Sequence, residues 1–107
     1  MKGMNGSMAQ LMKQANQMQI KMKKAQEDIA KMEFDGSAGG GAVKVKVNGD
    51  HKMITLTIDP EVMKSGDVEM LQDLVLAATN DAMTAAKSTS AKEMEKVTGG
   101  LGAPGMF

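Results

Sequence analysis

The stretch Val43-Lys44-Val45-Lys46-Val47-Asn48-Gly49, followed shortly by Ile54-Thr55-Leu56-Thr57-Ile58, decides the fold. Each apolar run alternates strictly with polar residues, which is the period of a strand that has one face in a core and the other in water. Asn48-Gly49 between them is a hairpin signal, because both residues tolerate positive φ. Whether the two-residue loop is Asn48-Gly49 or Gly49-Asp50, cross-strand pairing joins odd positions to even ones. Val43, Val45 and Val47 therefore share a face with Ile54, Leu56 and Ile58, and the opposite face carries Lys44, Lys46, Thr55 and Thr57. Just upstream, Met32-Glu33-Phe34-Asp35-Gly36-Ser37-Ala38 reads as a further short strand, joined to the hairpin by a tight Gly39-Gly40-Gly41 connection.

Before these strands the apolar positions run Met8, Leu11, Ala15, Met18, Met22, Ala25, Ile29 and Met32, spaced alternately three and four apart. That is a heptad seam, with Ser7 placed as its N-cap, and it predicts a helix from about Ser7 to about Ala30. At 1.5 Å per residue such a helix is about 36 Å long, more than a compact domain of this size can cover, so it projects as an arm or lies along a partner. After the strands, Asp59-Pro60-Glu61 starts a short helical turn, and Ser65-Gly66-Asp67 ends it and caps a longer helix. The apolar stripe Val68, Leu71, Leu74, Val75, Ala78, Ala82, Ala85 and Ala86 keeps a helical period, and the helix extends to about Val97 with its last third exposed or packed on a partner. The expected architecture is α+β, in the order α-β-β-β-α. A single domain over residues 7–98 is flanked by disordered stretches at 1–6 and 99–107.

Composition narrows the function. The chain has 107 residues, with thirteen methionines and only two aromatic side chains, both Phe. So thin a core favours association with a second copy, for which the sheet residues Val43, Val45, Val47, Ile54, Leu56 and Ile58 are one candidate surface and the heptad seam another. Cysteine is absent, which removes disulfides, thiolate nucleophiles and thiolate metal sites. The start has no apolar signal region and the longest wholly apolar run is Leu74 to Ala78, so a soluble cytoplasmic protein is expected. His51, the lone histidine, sits beside the hairpin turn and reads as a surface residue. The pair Asp67 and Glu69 reads as acids favoured at a helix start, and Gly39-Gly40-Gly41 lacks the Gly-Lys-Ser/Thr of a phosphate loop. Most of the methionines read as adaptable packing. No enzyme, metal or cofactor is expected.

Thirteen basic and thirteen acidic residues cancel, yet they are segregated. Residues 1–24 hold Lys2, Lys13, Lys21, Lys23 and Lys24 with no acid, whereas 59–81 hold Asp59, Glu61, Asp67, Glu69, Asp73 and Asp81 against Lys64 alone. Every basic residue is lysine, which neutralises phosphates but lacks the fork that reads guanine edges in pairs of bonds. On the first helix Lys13, Lys24 and Lys31 project within about 20° of one another, opposite the seam, with Lys21 and Lys23 about 80° to either side. A solvated outer face and a phosphate-binding ridge both fit that geometry. Lys87, Lys92 and Lys96 offer a second ridge on the last helix.

Several segments together resemble the YbaB/EbfC family of bacterial nucleoid-associated proteins. They are Leu11-Met12-Lys13-Gln14-Ala15, Gln17-Met18-Gln19, Val43-Lys44-Val45, Asn48-Gly49, Ile58-Asp59-Pro60, Leu71-Gln72-Asp73-Leu74-Val75 and Asn80-Asp81-Ala82. The resemblance implies a tweezer-like homodimer with helical arms that binds duplex DNA with limited sequence preference and serves nucleoid organisation or gene regulation. Carried onto this chain, it implies DNA contacts at Lys13, Lys21, Lys23, Lys24, Lys87, Lys92 and Lys96. Relatives often carry arginines just after the Asn-Asp-Ala motif, where this chain has Met83, Thr84, Ala85 and Ala86. A rival reading is an adaptor that docks a protein of DNA replication, repair or recombination through the seam and the acidic segment.

Overall fold

Alternation makes the sheet. The computed structural model describes the backbone of residues 2–99 and side chains from Ser7 onward. Strands β1 (Glu33–Ala38), β2 (Val43–Asn48) and β3 (Met53–Ile58) form one antiparallel sheet in the order β1-β2-β3. Val43 lies opposite Ile58, Val45 is flanked by Leu56 and Gly36, and Val47 faces Phe34. The valines thus share a face with their even-numbered partners, while Lys44 and Lys46 pair with Thr57 and Thr55 on the other. The connection between β1 and β2 carries φ of 64°, 67° and 95° at Gly39, Gly40 and Gly41, a run that residues with a Cβ adopt only under strain.

The hairpin loop is longer than the two-residue turn expected from Asn48-Gly49. Four residues, 49–52, join β2 to β3, and Asn48 Oδ1 accepts from the backbone N–H of Asp50 at 2.9 Å and of Lys52 at 3.0 Å. A side chain that satisfies two loop donors stabilises the wider turn. A bulge then places Val47 opposite Met53 and leaves Ile54 without a Cα partner on β2. The positive φ, 63°, falls on His51. Gly49 is required for a different reason: a Cβ there would collide with the backbone of Ile29, and its N–H donates to the Met32 carbonyl at 3.1 Å.

Helix α1 spans Lys2–Lys31, α2 spans Pro60–Lys64 and α3 spans Val68–Thr98. The short α2 is capped as its sequence predicts, with Asp59 Oδ1 accepting from Glu61 N at 3.0 Å, and Asp67 Oδ1 caps α3 through Met70 N at 3.0 Å. Ala78, Ala82 and Ala86, one per turn of α3, are withdrawn from solvent against β1 and β2. The helix comes so close that a Cβ on Gly36 of β1 would strike the Ala78 carbonyl and the Ala82 backbone. Small residues on both sides therefore let Phe34, Val43, Val45 and Val47 close a dry core beneath α3. Each fully buried valine contributes about 1.5–3 kcal/mol by removal from water.

Helix α1 starts at Lys2, ahead of the cap expected at Ser7. Gly3 and Gly6 each cost about 1 kcal/mol relative to Ala, but a helix already nucleated gains a hydrogen bond for each residue added. The tail expected to be disordered lies, from Gly100 on, outside the described residues. The C-terminal part of α1 packs beside the last third of α3, and Ile29 is buried there. Toward its N-terminus α1 continues alone. The principal extents of 78 × 25 × 16 Å and a radius of gyration of 21.1 Å, against about 13 Å for a compact chain of 100 residues, measure the projecting arm.

Candidate nucleic-acid interface

Helix α1 carries Lys13, Lys21, Lys23 and Lys24, and α3 carries Lys87, Lys92 and Lys96; all seven side chains are exposed. Where the last third of α3 meets α1, Lys21, Lys24 and Lys96 line one open cleft of about 400 Å³, together with Asp28 and Glu93. Its apolar floor is Ala25, Ile29, Met32 and Val97. The half-buried Glu93 and Val97 of the last third of α3 thus meet a partner within the same chain. Lys23 lies on the outer side of α1, and Lys13 lies about 12 Å further along the arm from Lys21 at the helical rise. Lys87 and Lys92 stand outside the cleft.

Charge at these positions is uneven. Among the described residues, Lys96 Nζ pairs with Glu93 Oε1 at 3.3 Å, whereas no carboxylate approaches within ion-pair distance of Lys13, Lys21, Lys23, Lys24, Lys87 or Lys92. The other two ion pairs are Lys46 with Glu33 across the outer sheet face and Lys64 with Glu61 on α2. Asp59 and Asp67 serve as helix caps at the far end of the rod from the arm. The segregation along the sequence persists in part: the arm over residues 7–24 carries lysines and no acid, while Asp28 and Glu93 stand among the lysines at its base. An exposed ammonium held on a rigid helix can meet a phosphate oxygen without first losing a protein partner.

The motif Asn80-Asp81-Ala82 acquires a physical role here. Asp81 Oδ2 accepts the backbone N–H of Ser37 at 3.1 Å, satisfying a donor on the outer edge of β1, and Ala82 sits on Gly36. The contact joins residues 44 apart, so nothing local signals it. Of the four residues that follow the motif, Ala86 is buried, Met83 and Ala85 pack against the core, and Thr84 alone is exposed. That stretch supplies packing and no charge. Of the six sheet residues considered for self-association, Val43, Val45 and Val47 are covered by α3 and Ile58 is half-buried, whereas Ile54 and Leu56 each remain 45% exposed on the edge strand β3. Among the described residues no group of His, Asp and Glu could hold a metal ion, and no helix is long and apolar enough to cross a membrane.

A profile of the YbaB/EbfC DNA-binding family matches residues 4–101. The chain belongs to that family. It is a family of DNA-binding proteins and not of enzymes. A nucleoid-associated protein of Clostridium novyi is 52% identical over 107 residues, covering 98% of this chain and 94% of that one. One of Alkaliphilus metalliredigens is 50% identical with the same coverage. The fold is shared with a crystal structure of an uncharacterized protein of Helicobacter pylori, with a TM-score of 0.74 at 24% identity over 85% of this chain and 96% of the other.

Proposed function

We propose that this member of the YbaB/EbfC family is a homodimer that holds duplex DNA through lysine–phosphate contacts with little reading of base edges, and that it serves nucleoid organisation or gene regulation in the cytoplasm. The observation that carries this reading is the set of exposed lysines on α1 and α3, of which Lys13, Lys21, Lys23, Lys24, Lys87 and Lys92 have no carboxylate partner among the described residues, with Lys21, Lys24 and the Glu93-paired Lys96 lining one cleft. Duplex DNA presents one charge per ~1.7 Å, so a rigid helix studded with ammonium groups matches several phosphates at once. The name nucleoid-associated, borne by relatives about half identical, supports the setting. The absence of arginine from the sequence argues for contact with the backbone and against paired bonds to guanine.

Self-association belongs to the same reading. Helix α3 covers β1 and β2 but leaves β3 as an edge strand with Met53, Ile54 and Leu56 exposed at 44–45%. A row of open backbone groups beside bare apolar side chains is a template for pairing. Two copies joined there bury Ile54 and Leu56 and double the number of basic arms. A salt titration on random-sequence duplex tests the DNA contact: log affinity falls linearly with log salt, by about 0.9 per phosphate neutralised. Salt-independent binding, or none at low salt, overturns it. Sedimentation tests the dimer, with Leu56→Glu expected to yield monomers; a wild-type monomer at micromolar concentration overturns that part.

A further inference from the structure

The seam of α1 has two fates along its length. With Met8, Ala15, Met22 and Ile29 at heptad position a, and Leu11, Met18, Ala25 and Met32 at d, its C-terminal half is half-buried or buried beside α3. Its N-terminal half runs past the end of α3. Met8 and Leu11 are 61% and 62% exposed, Ala15 is exposed beside them, and Met12 at the neighbouring e position is 68% exposed.

We propose that this free half of the seam docks against the same segment of a second copy, the two arms crossing antiparallel about Lys13. Three observations select that occupant. The seam is continuous with one already packed on a helix, so its shape is suited to a helical partner. The e and g positions that flank it from Ser7 to Gln19 are Ser7, Met12, Gln14 and Gln19, all uncharged, so two basic arms meet without like charges across the joint. Lys13, Lys23 and Lys24 fall at f, b and c, on the outside, and stay available to phosphates. In this register Leu11 meets Ala15 of the second copy and Met8 meets its Met18, placing a against d in both layers.

The overlap from Met8 to Met18 is only about 15 Å long, so the contact is weak in dilute solution. On DNA it operates at the high local concentration of neighbouring molecules. Its consequence rests on the proposed DNA binding: with β3 used for one pairing and the arm for another, each chain has two self-complementary surfaces, and molecules side by side on a duplex link into a non-closing array.

The chain has no cysteine, so introduced ones report cleanly. Chains with Leu11→Cys and Ala15→Cys, mixed on a long random-sequence duplex and mildly oxidised, should cross-link to each other, while Lys13→Cys, on the outer face, should not. Met8→Gln with Leu11→Gln retains helix propensity and every lysine. It should lower affinity for the long duplex roughly tenfold and leave affinity for a duplex too short for two particles unchanged. Equal cross-linking at position 13, no cross-link between positions 11 and 15, or an unchanged long-duplex affinity overturns the arm contact. Loss of short-duplex binding by the wild-type chain instead defeats the DNA reading, and cross-linking of concentrated protein without DNA then still decides the arm contact.

Discussion

Two helices of one chain use alanine differently. On α3, Ala78, Ala82 and Ala86 recur every fourth residue and are lost to solvent, whereas on α1 Ala15 has the same place in an apolar stripe and is exposed. Both stripes have helical period, so periodicity does not separate them. The difference lies in what stands opposite: α3 faces a sheet in which Gly36 has no side chain, and the arm has extended beyond the other described residues of its own chain. A stripe states that a partner is wanted, and tertiary geometry decides whether the chain supplies it.

The largest effect expected is at the buried end. Gly36→Val places a branched side chain where even a Cβ meets the backbone of α3, so neither surface can yield without lifting the helix from the sheet. Overpacking against backbone should cost about 3 kcal/mol or more and bring cooperative thermal unfolding down by well over ten degrees. Leu11→Gln in the arm, by contrast, should change stability by less than about 0.5 kcal/mol, because that side chain is already in water. Similar losses from the two variants would mean that the arm is covered after all.

Next is the charge on the arm. Replacing Lys21, Lys23 and Lys24 together with Ala should leave the melting temperature nearly unchanged, since all three are exposed and without ion-pair partners among the described residues. If each meets one phosphate, the salt slope of duplex binding flattens by about 2.7. The fall in affinity between about 50 and about 200 mM salt then shrinks roughly fortyfold. An unaltered slope would move the DNA contact away from the α1–α3 cleft.

How much of this could be read from residues alone follows the range of each interaction. The strands, their shared faces and the caps at Asp59 and Asp67 were legible because alternation and capping act over a few residues. The hairpin loop was not, since Gly49 answers to Ile29, a residue of another element, and Asn48 spends its side chain on closing a wider turn. Asn80-Asp81-Ala82 stood out as a motif, but its purpose required β1 to be brought alongside. The lysine positions were legible as a helical face, while their gathering with Lys96 at one cleft depended on how α1 crosses α3. Likewise, three of the six sheet residues offered for dimerisation are spent inside the chain, a fact settled only when α3 is laid over β2.

A smaller effect belongs to Asp81. Asp81→Ala removes the acceptor for the Ser37 N–H on an exposed edge, where water can replace it, so the loss should be about 1 kcal/mol in chemical denaturation. Asp81→Asn retains an acceptor oxygen and should recover most of it. A DNA affinity that fell with Asp81→Ala at unchanged stability would assign the residue to the interface and not to the tie between α3 and β1.

The smallest effect concerns Lys96, the one candidate lysine already committed to a carboxylate. Its pair with Glu93 is exposed on the lysine side, 74% against 34% for the glutamate, and such pairs contribute about 0–1 kcal/mol. Glu93→Gln should therefore leave stability within about 0.5 kcal/mol of wild type. On DNA the same substitution removes a negative charge from the lining of the cleft and frees Lys96 for phosphate. Low-salt affinity should rise up to about fivefold, the equivalent of about 1 kcal/mol, and the gain should vanish as salt screens the site. The control is Glu95→Gln, which alters the same net charge two residues along α3 at a side chain that does not line the cleft. Equal gains from both would mean that only total charge matters, and the basic end would then act as a diffuse field; a gain confined to Glu93 would place the phosphate path between α1 and α3.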